Sequence, residues 1–135
     1  MSAQKNIEAV QKMYAAFGRG DVPAILEYAA DDIDWGIQAQ SSKEVPWHGT
    51  GKGRDFAAAF FQALGQNAEF PRFEPSGFLG DDHAVSALIS FDVVLKKNGK
   101  KASYEVCHHF TFNNGKVVKW RGWEDTAHTK ALWNS

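Results

Sequence analysis

From Ile7 the apolar positions Ile7, Val10, Met13, Tyr14 and Phe17 recur at three- and four-residue intervals. That spacing predicts a helix with one buried face, stopped by Gly18 and Gly20. Asp21 then reads as an N-cap and Pro23 as a first-turn residue of a short second helix through Tyr28. The period changes to two at Ile33, Trp35 and Ile37, which alternate with Asp34, Gly36 and Gln38 and predict a strand with an apolar inner face. A polar loop is expected from about Gln40 to Gly53. RDFAAAFFQALG, Arg54 to Gly65, predicts a third helix, rich in Ala and ended by Gly65. Strands follow around Phe70 to Phe78, Ala84 to Leu95, Lys100 to Phe112 and Lys116 to Trp123. Asn98-Gly99 and Asn114-Gly115 are the strongest hairpin signals in the chain.

Helices first and a meander afterwards define an α+β protein. At 135 residues the chain reads as one domain, 1–135, long enough to bury a sizeable core. Fifteen basic and sixteen acidic residues leave a net charge of -1, with no basic block, which argues against nucleic acid as a partner. No apolar run approaches the ~20 residues that cross a bilayer, and the N-terminus lacks a signal-peptide core. A cytoplasmic protein with no membrane partner is therefore expected. The single cysteine, Cys107, excludes an internal disulfide and a multi-cysteine metal site. Ten Phe, five Trp and three Tyr are enough to line a cavity as well as to fill a core.

The segment VCHHFTFNNGKVVKWRGWED concentrates the candidate chemistry. Neighbouring residues of a strand face opposite ways, so His108 and His109 diverge. A regular strand sets Tyr104, Val106, His108, Phe110 and Phe112 on one face. On the returning strand Val118, Trp120, Gly122 and Glu124 form the matching set. These are the more apolar sets and should face the helices, which turns His108 and Glu124 inward and His109 outward. His108 suits proton transfer near neutrality, and Glu124 on the same face is its expected partner. Asp125, before Thr126 and Ala127, is either a further acid or the cap of a short terminal helix. Trp35, Ile37, Phe110 and Trp120 are expected in the wall, Tyr14 reaching it from the first helix and His48 lining its entrance. Trp123 and His109, on the outer face, suggest a surface for a second copy of the chain.

The segments VQKMYAAFGRGD (Val10 to Asp21), AADD (Ala29 to Asp32), Trp47-His48-Gly49 and HHFTFNNGKVV (His108 to Val118) resemble the nuclear transport factor 2-like superfamily, and within it the SnoaL-like polyketide cyclases and ketosteroid isomerases. The resemblance covers nearly the whole chain. It implies a cone-shaped, curved antiparallel sheet closed by three N-terminal helices around an apolar pocket, commonly paired through the outer sheet face as a homodimer. The isomerase pattern does not carry over intact. Its oxyanion-hole tyrosine falls at Met13, one position before Tyr14. Its general-base aspartate falls at Ile37, and its protonated aspartate at His108, so steroid isomerisation by that route is not expected. SnoaL-like cyclases use an acid from the last strands, for which Glu124 and Asp125 are the candidates.

Two lookalikes fall away. HGTGKGRD lacks the spacing and the Ser/Thr of a phosphate loop. His48, His83, His108, His109 and His128 show no metal-ligand spacing. The sequence thus points to acid/base chemistry without a cofactor on a small hydrophobic or aromatic carbonyl compound, by cyclisation, isomerisation or dehydration. Its alternatives are a binding module for an apolar ligand and an interaction domain whose pocket is only core.

Overall fold

In a computed structural model, residues 2–135 form four helices and a six-stranded curved sheet. The chain runs α1 (Ala3–Gly18), α2 (Val22–Leu26), β1 (Ala29–Ile37), β2 (Gly49–Lys52), α3 (Arg54–Asn67), β3 (Ala68–Gly80), β4 (Ala84–Leu95), β5 (Lys101–Asn113), β6 (Lys116–Trp123) and α4 (Thr126–Trp133). Strand order is β2-β1-β6-β5-β4-β3. All pairings are antiparallel except β1 with β6, so the sheet is mixed rather than purely antiparallel.

α2 and α3 start where the sequence places them, whereas α1 begins at Ala3, four residues before Ile7. Ser2 accepts from Lys5 N and caps α1, and Asp21 accepts from Ala24 N and caps α2. The stops are less faithful. α2 ends at Leu26, and α3 passes through Gly65 to Asn67. The expected loop from Gln40 to Gly53 contains a strand, β2, whose sequence GTGK has no apolar alternation. It pairs with β1 at a close backbone approach, where a Cβ on Gly36 would lie 2.1 Å from the Gly49 carbonyl oxygen. The same stretch tucks Ser42, Val45 and Trp47 into the interior.

The Asn114-Gly115 turn takes positive φ at both residues, 52° and 78°, as a two-residue hairpin loop requires. Just beyond it the β5–β6 register slips, Thr111 facing Lys119 while Phe112 faces Val117. This irregularity makes Val117 the buried residue instead of the expected Val118, while Trp120 and Gly122 keep their inward orientation. The core lies between the inner sheet face and α1, α3 and the 40s segment. No helix is long and apolar enough to cross a membrane among the described residues.

Candidate functional site

The inner sheet face and the helices line a cavity of about 100 Å³. Its floor is a pair of stacked indoles, Trp35 on β1 and Trp120 on β6, with centroids 4.4 Å apart and planes at 23°. Direct β1–β6 pairing of these two residues imposes the stack. Phe60 and Phe61 of α3 pack on Trp35, and Ile37 and Phe110 complete nearby walls. Tyr14, Trp35, Ile37, Phe110 and Trp120 therefore all reach the cavity from the positions expected of them.

Two polar groups interrupt this wall. The first is a dyad between α1 and β5: the Tyr14 hydroxyl and His108 Nδ1 lie 2.8 Å apart, and the rings are nearly parallel. Burial lowers the His108 pKa to about 3, and burial, with a smaller contribution from Cys107, raises that of Tyr14. Both groups are neutral near pH 7. The tyrosine hydroxyl has no other acceptor among the described residues, so it donates to Nδ1 and we assign the imidazole proton to Nε2. His108 keeps part of its surface accessible. His108 lines the cavity, and burial of its ring is what lowers its basicity.

The second is a chain of side chains from four parts of the fold. Glu124 Oε2 accepts from His48 Nε2 at 3.1 Å and from Thr129 Oγ1 at 2.8 Å. The Thr129 oxygen also lies 2.8 Å from the Tyr104 hydroxyl, and His48 Nδ1 lies 2.8 Å from Ser42 Oγ. A carboxylate only accepts. Thr129 therefore gives its proton to Glu124 and receives one from Tyr104, while His48 Nδ1 shares a hydrogen bond with Ser42 Oγ. Oε2 is thus held twice, whereas Oε1 makes no hydrogen bond among the described residues. Glu124 lines the cavity, as do Thr129 and Tyr104.

Several expectations change here. The His108–Glu124 pair does not form, because His108 is taken by Tyr14 and Glu124 by His48 and Thr129. His48 is not on the cavity wall. Its side chain is fully buried behind Glu124 with both ring nitrogens occupied. Asp125 caps α4, its carboxylate accepting from His128 N at 3.1 Å. His109 faces outward and bonds Ser86 Oγ.

Thr129, Ser42 and Tyr104 were not anticipated as part of the polar chain. The only signal for Tyr104 was its strand parity with His108, and Ser42 and Thr129 carry none. Trp35 Nε1 is buried without a partner, although its ring is fixed by the Trp120 stack. No cluster of His, Cys, Asp or Glu among the described residues has metal-binding geometry.

Residues 10–120 match the SnoaL-like domain family. Among solved structures the chain is similar to an NTF2-like protein of unknown function from Burkholderia pseudomallei K96243. They share 27% identity over 97% of this chain and 98% of that one, with a TM-score of 0.88. An NTF2-like protein from Burkholderia xenovorans LB400 shares 27% identity over 98% of both chains, with a TM-score of 0.86. TerC, co-crystallised with polyporic acid, shares 23% identity over 97% and 99% of the two chains, a likeness of fold alone at a TM-score of 0.84. No curated protein matches.

Proposed function

This chain belongs to the SnoaL-like domain family, and we propose that it is an enzyme moving a proton next to a carbonyl group in a small hydrophobic substrate, using its own side chains. The observation that carries this reading is the half-anchored carboxylate. Glu124 Oε2 is fixed by two donors while Oε1 is left for a ligand, on the wall of a cavity that is otherwise almost wholly apolar. His108 supplies the complementary group. Its neutral Nε2–H is a hydrogen-bond donor, and a ring with a pKa near 3 is a poor proton carrier near neutrality but a good neutral electrophile.

The step balances as follows. Glu124 Oε1 takes a proton from the carbon beside the carbonyl, the C–H electron pair becomes the new C=C bond, and the carbonyl π pair moves onto oxygen. The Nε2–H of His108 stabilises the negative charge developing there. Return of the proton from Glu124 to another carbon isomerises the substrate; its transfer to a departing β-hydroxyl, which leaves as water, dehydrates it; and attack of the new carbon nucleophile on a second carbonyl, whose oxygen takes up that proton, cyclises it. Water exclusion by the aromatic walls strengthens both electrostatic contacts. The working unit is residues 1–135 as one domain. A homodimer forms through the outer sheet face, where Leu88, Cys107 and Trp123 stand opposite one another in a row across β4, β5 and β6. Leu88 and Trp123 are exposed there, and Trp123, expected only on the outer face, also borders the cavity.

The test is proton exchange in deuterium oxide, followed by NMR on a panel of cyclic ketones. The native protein should accelerate loss of the α-proton signal for at least one of them, and Glu124→Gln should abolish that acceleration. Equal exchange by native protein and Glu124→Gln removes Glu124 as the base. A panel bound by the native protein but not exchanged favours the second reading, a ligand carrier, for which the depressed His108 basicity is the supporting observation.

A further inference from the structure

From the cavity's size and the placement of its polar atoms, resting on the reading of Glu124 and His108 above, we infer that the ligand is a neutral single-ring compound whose carbonyl oxygen meets His108 and whose acidified C–H or hydroxyl meets Glu124. Four observations converge on it. The free volume, about 100 Å³, is below the ~150 Å³ of a cavity that holds one benzene molecule, so the space between the walls takes at most one ring. The stacked Trp35 and Trp120 and the phenylalanines around them make the walls aromatic, which favours an unsaturated or planar ring over a branched chain.

The polar atoms differ in kind. His108 Nε2–H can only donate and so selects an acceptor such as a carbonyl oxygen. Glu124 Oε1 can only accept and so selects a hydroxyl or an acidified C–H. Gly122 is paired with His108 across the strands, and Glu124 follows two residues later, just past the end of β6, so the two groups address different atoms of one ring. Finally, among the described residues no Lys or Arg lines the cavity. A carboxylate, phosphate or sulfate entering it would shed its hydration with no cation to replace it, and would meet the Glu124 carboxylate as well. Charge is therefore selected against as firmly as size.

The experiment measures binding by quenching of tryptophan fluorescence, confirmed by calorimetry, with four probes on the intact native protein. They are 4-hydroxybenzaldehyde, 4-hydroxybenzoate, toluene and 6-hydroxy-2-naphthaldehyde. 4-Hydroxybenzaldehyde is expected to bind at least tenfold more tightly than each of the other three, which lack neutrality, polar ends and single-ring size in turn. His108→Phe and Glu124→Gln should each weaken it by about tenfold. If either variant is unfolded by circular dichroism, the four-probe ranking on the native protein still decides. Equal or tighter binding of the benzoate or the naphthaldehyde overturns the inference, as does absence of binding by the benzaldehyde. The two readings fail separately. The expected ranking without α-proton exchange of any ketone leaves the ligand class standing and removes the enzyme, and exchange confined to multi-ring ketones does the reverse.

Discussion

The Tyr14 hydroxyl on α1 donates to Nδ1 of His108 on β5 across 2.8 Å, tying the first helix to the strand that carries the site's imidazole. The bond fixes which nitrogen of His108 bears the proton, and hence that the ring's remaining donor is Nε2. Replacing Tyr14 by Phe keeps the ring and removes only the donor. Nδ1 is then buried without a partner, at a cost of about 1–2 kcal/mol. Nitrogen-15 NMR of the imidazole should show the Nε2–H tautomer alone in the native protein and a mixture in Tyr14→Phe. A mixture already present in the native protein overturns the assignment.

His108 also makes stability depend on pH. Its folded pKa, lowered by burial to about 3, lies below the ordinary histidine value of 6.5, so between these values the unfolded chain binds the proton and the folded one does not. Stability contributed this way is fully present above about pH 6.5 and is lost as pH falls toward 3, at roughly 1 kcal/mol per pH unit. Asp81 and Asp92 have pKa values below the usual range, Asp81 through backbone hydrogen bonds from His83 and Ala84 and Asp92 through its bond to Arg72. Their contributions disappear only at more acid pH, below about 4. Urea unfolding at pH 7, 6 and 5 should therefore show a steeper decline for the native protein than for His108→Gln. Parallel declines mean that His108 is hydrated and not enclosed.

Two glycines with opposite surroundings test the backbone argument. Gly65 lies inside α3, and a Cβ added to it would meet nothing within 4 Å, so Gly65→Ala should raise stability by about 1 kcal/mol through helix propensity. Gly36 has φ of 150°, and an added Cβ would collide with the backbone of Gly49 and Thr50. Gly36→Ala should lower the urea midpoint markedly and detach β2 from β1, seen as faster amide exchange at Thr50 and Lys52. Slow exchange there in the variant would show that β2 does not depend on this close approach.

What the sequence disclosed, and what it hid, follows the same physics. Period-two alternation located the inner face of β5 because a strand buried on one side tolerates no slip, and His108 came with it. The alternation misled at Val118, where the register shift near the turn exchanges the two faces. β2 was invisible because GTGK forms its strand by backbone pairing alone. Helical spacing brought Tyr14 to the cavity but not to a particular histidine 94 residues away. The Glu124 chain was the least legible part. His48 and Ser42 lie in an irregular segment with no period to read, and they meet Glu124 only after β1 and β6 have paired.

Thr129 is the joint between α4 and the candidate base. Its hydroxyl donates to Glu124 Oε2 and accepts from Tyr104, so this single buried group holds a carboxylate and a tyrosine from two other elements. Burial is the largest influence raising the Tyr104 pKa, which keeps that hydroxyl protonated and in need of its acceptor. Thr129→Val preserves shape and deletes both bonds. It should cost about 1–3 kcal/mol of stability, because the Tyr104 hydroxyl and one lone pair of Oε2 lose their partners inside the protein. Once a substrate is in hand, kcat should fall about tenfold or more with little change in KM, since the ligand does not contact Oε2 but does depend on the aim of Oε1. Thr129→Ser keeps the oxygen and its proton and should restore most of the loss. A Val variant that loses stability but retains kcat would show that Thr129 only fastens α4, leaving His48 sufficient to orient the carboxylate.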